Sequence, residues 1–311
     1  MAMDVSTTQT HEKARGVQAI LQAKNLGLSW DDSENAGVRE RVQLRANAPA
    51  PAKAPAPAKV HPFFSSMFSR LHKAPSHMIV RGINIELLPG EIVCLVGRSG
   101  TGKTTILHAL SGLMCPREGE VLLHGDPSLE LLGHVSYMFQ KDLLLRHKSI
   151  LDNVCLPLEI AHTLDDEARA RASRLFQDFG LEGTQEKYPD QLSGGMRQRA
   201  AFLRTYLMGN DCILLDEAFS ALDAITRTQI RLWFCSMVSR LNVAVLAVTH
   251  DVDEAVLMAS RIYVLKQAKD GPWATISAEI ASPRMQMSCE PEEFMLSPEF
   301  LACKKEVLAA L

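Results

Sequence analysis

Gly97, Arg98, Ser99, Gly100, Thr101, Gly102, Lys103, Thr104 and Thr105 follow one another in the pattern G-x-x-x-x-G-K-[ST]. That spacing has a physical use. Glycines let the backbone curl so that its N–H groups point inward, and a helix N-terminus adds positive potential. Lys103 then reaches the outer phosphates of a triphosphate, and the Thr104 hydroxyl can ligate Mg2+. The surroundings are those the chemistry needs, because the apolar run 92–96 reads as a strand before the turn and a helical pattern runs on to about residue 113. A second apolar run, 212–215, ends in Asp216 and Glu217. Two carboxylates at a strand end are costly unless one meets a cation and the other faces water or substrate. Asp216 fits a direct or indirect Mg2+ partner, and Glu217 fits a base that orients and deprotonates an attacking water.

Gln140 follows a predicted strand at 135–139, and His250 follows one at 243–248. An isolated Gln or His at a strand end is usually a surface or capping residue. Position adds weight here: Gly97, Gln140, Asp216, Glu217 and His250 all fall just past the carboxyl ends of predicted parallel strands, the edge where open α/β sheets bind ligands. A further turn reads Leu192, Ser193, Gly194, Gly195, Met196, Arg197, Gln198, Arg199 and leads into a helix. Ser193 can cap that helix, Gly194 and Gly195 permit close backbone approach to an anion, and Met196, Ala200, Leu203 and Leu207 form one apolar stripe.

These residues need a frame to hold them. Strands are predicted at 92–96, 135–139, 212–215, 243–248 and 262–265, mostly as continuous apolar runs, which suits strands covered on both faces. Residues 141–207 read mainly as helix and form a subdomain inserted into the sheet order. Residues 17–30 suggest a short helix or strand entering the domain. After them comes a stretch, 31–76, whose Ala/Pro run at 46–59 cannot bury apolar area or form a ladder, so it is expected to be a solvated insertion. The organisation expected is a flexible N-terminus at 1–17, a catalytic domain at 18–268 interrupted by that insertion, and a tail at 269–311 with one helix near 298–311.

Composition narrows the partners. Lys plus Arg total 33 against 36 acidic residues, a net charge of −3, which supplies no basic field for a nucleic-acid backbone. Cys94, Cys115, Cys155, Cys212, Cys235, Cys289 and Cys303 contain no C-x-x-C pair and suit reduced thiols of a cytoplasmic protein. No run approaches the roughly 20 apolar residues that a membrane span needs, so any membrane role is expected to be peripheral.

Taken together and in this order, the motifs resemble those of the ATPase subunits of ATP-binding cassette transporters, over nearly all of residues 78–265. Gly97 to Thr105 is similar to that family's Walker A turn, Gln140 to its Q-loop, residues 192–198 to its signature, and residues 213–217 to Walker B with its catalytic glutamate. Ser220, Ala221, Leu222 and Asp223 resemble the D-loop, and His250 the H-switch. The resemblance implies an α/β P-loop NTPase core of RecA-like type, with an N-terminal antiparallel β subdomain and an inserted α-helical signature subdomain. It implies ATP and Mg2+ as cofactors, with Glu217, His250 and Lys103 catalytic and Thr104, Gln140 and Asp216 at the metal. Trp30 is similar to the aromatic residue that stacks on adenine.

Further implications concern assembly. A second ATPase subunit, as a homodimer, would place its Ser193, Gly194 and Gly195 over the first subunit's ATP. A transmembrane permease would dock near Leu143, Leu144 and Leu145, a solute-binding protein would act indirectly, and the chain would sit peripherally on the cytoplasmic face of the inner membrane. Residues 191–199, 223–227 and 249–255 resemble the importers for nitrate, sulfonate, taurine and pyrimidine thiamine precursors. Three features depart from the family: Ala218 stands where proline is usual, Arg146 and His147 replace Pro-Trp, and the insertion follows Trp30. Two alternatives stay open, a cassette protein unattached to a transporter and a regulatory subunit that binds ATP without hydrolysing it.

Overall fold

The computed structural model describes residues 18–30, 77–129, 131–283 and 291–311. The expected flexible N-terminus at 1–17 and the insertion at 31–76 lie outside them. In chain order the elements are β1 (Leu21–Trp30), β2 (His77–Leu87), β3 (Ile92–Gly97), α1 (Lys103–Leu110), β4 (Glu118–Leu123) and β5 (Ser136–Met138). Then come α2 (Ile150–Ile160), α3 (Asp166–Asp178), α4 (Gly194–Tyr206), β6 (Cys212–Asp216), α5 (Ala224–Leu241) and β7 (Ala244–Thr249). The chain closes with α6 (Val252–Met258), β8 (Arg261–Gln267), β9 (Ala274–Ala281), α7 (Pro291–Met295) and α8 (Pro298–Ala310).

Among the described residues, nine strands join one sheet in the order β4-β1-β2-β9-β8-β3-β7-β6-β5. The strands β8, β3, β7, β6 and β5 run parallel to one another, while β1 pairs antiparallel with both β2 and β4. The run before residue 31 is therefore a strand. Every residue of β3 is buried, and its side chains alternate between two cores. Val93 and Leu95 face Ile106, Leu107 and Leu110 of α1 together with Leu26, Leu28 and Ile83 of the antiparallel strands. Cys94 and Val96 face the other layer, which holds Phe176, Phe202 and Phe234 from α3, α4 and α5. Helix α1 is thus enclosed between the parallel and antiparallel parts of the sheet.

Side-chain caps set where several helices begin. Ser149 accepts from Asp152 N at the start of α2, Asp165 from Ala168 N at α3, Ser193 from Met196 N at α4 and Asp223 from Thr226 N at α5. Each satisfies a backbone donor that the first helical turn leaves free.

Residues after 268 do more than trail from the domain. Strand β9 pairs antiparallel with β8 and, through Val80 and Ala274, parallel with β2, so it joins the parallel and antiparallel halves of the sheet. The terminal helix α8 buries Phe300, Cys303 and Val307 in the same core as α6. Its place near 298–311 matches the expected helix, but the strand before it was not foreseen.

Register brings the strand ends level. Val96 lies opposite Thr249, Asp216 opposite Val248 and Gly97 opposite Leu265. The loops leaving β3, β6, β7 and β8 therefore emerge at one edge.

Candidate active site

The turn from Gly97 to Thr105 leaves β3 at that edge and enters α1 through Gly102, whose φ of 94° lies in the left-handed region. A Cβ at Gly102 would stand 2.7 Å from Ile79 and 2.8 Å from Val80, so both backbone freedom and space require glycine there. Lys103 folds its Nζ back onto the Gly97 and Arg98 carbonyls at 2.9 and 3.0 Å. Its ammonium is held below the usual lysine range by burial, against which the nearby Glu217 and Asp216 carboxylates pull upward. Phosphate oxygens arriving over this turn would bring negative charge directly onto an ammonium whose hydrogen-bond partners are neutral carbonyls.

Asp216 ends β6 beside the start of α1. Thr104 Oγ1 donates to its Oδ1 at 3.1 Å, and the Tyr137 phenol donates to its Oδ2, also at 3.1 Å. Tyr137 comes from β5, packs against Phe139 and His108, and has its phenol pushed far above the ordinary range by burial and by Asp216. His108 is depressed by burial, with Asp216 opposing the shift.

Glu217 follows with a φ of 44°, uncommon for a residue bearing a Cβ. Its backbone is fixed on both sides: its N–H donates to Val248 O at 3.0 Å, and its carbonyl accepts from Ser220 N at 3.1 Å and Ser220 Oγ at 2.9 Å. The strain keeps a functional group in place, as is common at reactive sites. His250 Nδ1 lies 3.2 Å from Glu217 Oε2.

Gln140 Nε2 donates to Ser220 Oγ at 3.2 Å. It is thereby joined to the Glu217 carbonyl, whereas the Asp216 carboxylate takes its hydrogen bonds from Thr104 and Tyr137. Below the edge, Asp142 accepts from Arg197 Nε at 3.2 Å, and the Asp142 and Leu143 carbonyls accept from Arg204, which ties the segment after Gln140 to α4. Leu143 is half-exposed and Leu144 buried.

Of the residues singled out from sequence, the structure gathers Gly97 to Thr105, Gln140, Asp216, Glu217 and His250. Ser193, Gly194 and Gly195 stand elsewhere: no hydrogen bond or ion pair among the described residues joins them to the Gly97 turn. Gly194 instead approaches Leu222, and Gly195 approaches Thr226. Trp30 ends β1 opposite His77. Sequence reasoning did not find Tyr137 or Ser220 as partners in the site. Both bear hydroxyls at positions that read as strand interior or turn, and only the fold shows what each touches.

Glycine turn, oxygen pair, carboxylate and imidazole on one edge make an arrangement suited to hold a triphosphate and a hard cation while a water is activated beside them. Comparison with known proteins gives the family of the chain. Residues 80–220 match the family model described as ABC transporter. The formylaminopyrimidine import ATP-binding protein of Halalkalibacterium halodurans is 41% identical over 189 residues, 61% of this chain and 74% of that protein. The aliphatic sulfonates import ATP-binding protein SsuB 2 of Nocardia farcinica is 38% identical over 234 residues, 75% and 88% of the two chains. The nitrate import ATP-binding protein of Synechococcus elongatus is 34% identical over 234 residues, 75% and 84%. Among solved structures, cbiO1 of Clostridium perfringens, part of an ABC transporter complex, superposes with a TM-score of 0.66 at 18% identity, covering 93% of this chain and 99% of its own. A dimeric bacterial ABC transporter cassette gives a TM-score of 0.60 at 24% identity, covering 84% and 98%. At such identities these two likenesses speak for the fold.

Proposed function

This chain belongs to the ABC transporter family of ATP-binding subunits, and from that premise we propose that it hydrolyses ATP at the Gly97–Glu217–His250 edge to power import of a small solute through a separate permease. One observation carries the reading. Three segments far apart in sequence meet here: Asp216 bonds to Thr104 beside the buried Lys103 and its glycine turn, and the adjacent Glu217 meets His250. ATP binding and hydrolysis are properties of the family, and the residue roles below are our assignments.

In this reading the N–H groups of the turn and Lys103 hold the β- and γ-phosphates. Lys103 leaves the Gly97 and Arg98 carbonyls when the phosphates arrive. The oxygen pair of Thr104 and Asp216 suits Mg2+, which takes one or two protein oxygens together with phosphates and waters. Gln140 would complete the metal's surroundings. The ion would supply charge stabilisation to the phosphates.

Glu217 accepts a proton from water as that water attacks the γ-phosphorus. The bond to the bridging oxygen breaks, leaving ADP and phosphate. His250, from its contact with Glu217 Oε2, fixes the carboxylate's direction and reaches toward the γ-phosphate. Trp30 would stack on adenine.

Ser193, Gly194 and Gly195 have no triphosphate-binding counterpart in their own chain. We assign them to the ATP of a second copy in a head-to-tail pair, with the γ-phosphate between subunits. The named relatives import formylaminopyrimidine, nitrate and aliphatic sulfonates, which supports a solute of that size range: nitrate, a sulfonate, taurine or a thiamine precursor. No helix among the described residues is long and apolar enough to cross a membrane. We place the subunit peripherally on the cytoplasmic face of the inner membrane, against the permease through the Leu143 segment, with a solute-binding protein acting indirectly.

The test is isolation from native membranes through a tag on this chain. A multi-spanning permease should come with it, crosslink through residues 143–145 and stimulate ATP hydrolysis. Recovery of active ATPase with no membrane protein attached would overturn the transport assignment, and loss of nothing on Lys103→Ala would overturn the site.

A further inference from the structure

His250 reaches Glu217 from an exposed position, its imidazole in contact at a single point, Nδ1 to Oε2. What aims it must lie in the backbone on either side. Thr249 and Asp251, its two neighbours, are both tied to one buried group. Arg231 Nη2 donates to Asp251 Oδ2 at 2.8 Å and to Glu254 Oε2 at 3.0 Å, while Thr249 Oγ1 donates to that same Glu254 oxygen at 2.6 Å. The Asp251 N–H in turn donates to Thr249 Oγ1 at 3.0 Å, closing a ring around His250. Asp251 Oδ1 also accepts from Asp253 N and Glu254 N, so the ring is continuous with the first turn of α6.

We propose that Arg231, acting through Glu254 and Thr249, is the positioning residue that holds the His250 backbone so that its imidazole meets Glu217. The inference rests on the assignment of Glu217 and His250 to ATP hydrolysis made above. Two observations favour positioning over plain stability. A buried ion pair seldom adds net stability over apolar residues of the same volume. This one is not fully satisfied either, since Arg231 Nε is buried with no hydrogen-bond partner, although Arg231 and Glu254 are each only 7% exposed. An arrangement shaped for stability alone would not leave that donor orphaned. What it does achieve is to tie the side chains of Thr249 and Asp251, the residues on either side of His250, to a helix on the other side of the loop. That helix, α5, is capped by Asp223, so the brace also links His250 to the segment resembling the D-loop.

The experiment compares Arg231→Met combined with Glu254→Gln, which removes both charges of the buried pair together, in wild-type and His250→Ala backgrounds. Melting temperature, ATP affinity and single-turnover hydrolysis are measured for the full chain. The combined variant is expected to keep the wild-type melting temperature and ATP affinity but to hydrolyse roughly 10- to 100-fold more slowly, the scale of an ångström-sized misplacement. In the His250→Ala background it should add less than about a twofold change, because the group it positions is gone. Wild-type hydrolysis by the combined variant, or an equal loss in both backgrounds, overturns the inference. A weakened ATP affinity that accounts for the loss does so too. Should the combined variant melt early, Thr249→Val cuts the hydroxyl tie and leaves the ion pair whole, and the same dependence on His250 decides. If His250→Ala by itself hydrolyses normally, it is the assignment of His250 that fails.

Discussion

Two glycine turns at helix N-termini, Gly97 to Gly102 before α1 and Ser193 to Gly195 at α4, use glycine for different reasons. Gly102 has a left-handed φ of 94° and lies against Ile79 and Val80. Gly194 and Gly195 are the first residues of α4, and a Cβ there would meet side-chain atoms alone: Leu222 Cδ2 at 3.0 Å and Arg197 Nη2 at 3.9 Å from Gly194, and Thr226 Cγ2 at 3.0 Å from Gly195. The first turn needs a backbone conformation that other residues resist; the second needs a clear approach to its backbone N–H groups. The surroundings differ in the same sense. Lys103, Thr104, Asp216 and Glu217 gather round the first turn, while the second has its own chain behind it and an exposed Ser193 in front. One turn is completed within the chain, and the other, in the pairing proposed above, is offered to a second copy.

The largest effect that separates the two belongs to the carboxylate assigned above to hydrolysis. Glu217→Gln keeps the shape and the locked backbone but removes the proposed base. ATP should bind as before, and turnover should fall about 10²- to 10⁴-fold, the usual range for such a loss. Unchanged turnover in a coupled phosphate-release assay would show that Glu217 is not the base.

Alanine substitution at one glycine in each turn sharpens the contrast. Gly102→Ala forces a left-handed alanine, which costs about 1–2 kcal/mol, and adds a clash with Ile79. ATP affinity by equilibrium dialysis should therefore weaken about tenfold or more. Gly194→Ala should leave affinity for monomeric protein within about twofold, as for substitutions without a buried penalty. Its loss should appear in hydrolysis and in ATP-dependent dimerisation of a slow variant such as Glu217→Gln. Equal losses of affinity at both glycines would contradict the division between the turns.

The parallel half of the sheet was readable because its strands are continuous apolar runs ending in reactive residues. Ile92–Gly97 and Ala244–Thr249 are wholly buried, and a strand covered on both faces announces itself in composition alone. Strand β9, in contrast, mixes exposed and buried positions along ATISAEIA, so its place beside β2 and β8 depends on a partner distant in sequence. The same reason hid the second layer of the site. Glycine and carboxylate spacings mark Lys103, Asp216 and Glu217, but nothing local marks the bond from Tyr137 to Asp216, 79 residues away, or from Gln140 to Ser220, 80 residues away. Arg231 reads as one more charge on a helix of weak periodicity, and only packing brings it onto Glu254 and Asp251. Local motifs report what touches substrate, while the groups that hold those residues are dispersed along the chain.

The smallest expected effect tests whether this dispersed layer works on the first turn. Tyr137→Phe removes the phenol that donates to Asp216 Oδ2 and leaves the ring packed at a tilt against Phe139. Asp216 keeps its bond from Thr104, so the carboxylate remains beside the turn but is free to rotate about one tethered oxygen. A hydrogen bond to a charged group is worth about 1.5–3 kcal/mol, and water entering beside the partly buried carboxylate recovers much of that. The Mg2+ concentration for half-maximal hydrolysis should consequently rise about three- to tenfold at saturating ATP, with maximal turnover changed less than about twofold. Direct Mn2+ binding to the nucleotide complex, followed by electron paramagnetic resonance, should weaken in parallel. If both titrations match wild type, Tyr137 serves β5 packing alone, and Thr104 suffices to aim Asp216 at the cation.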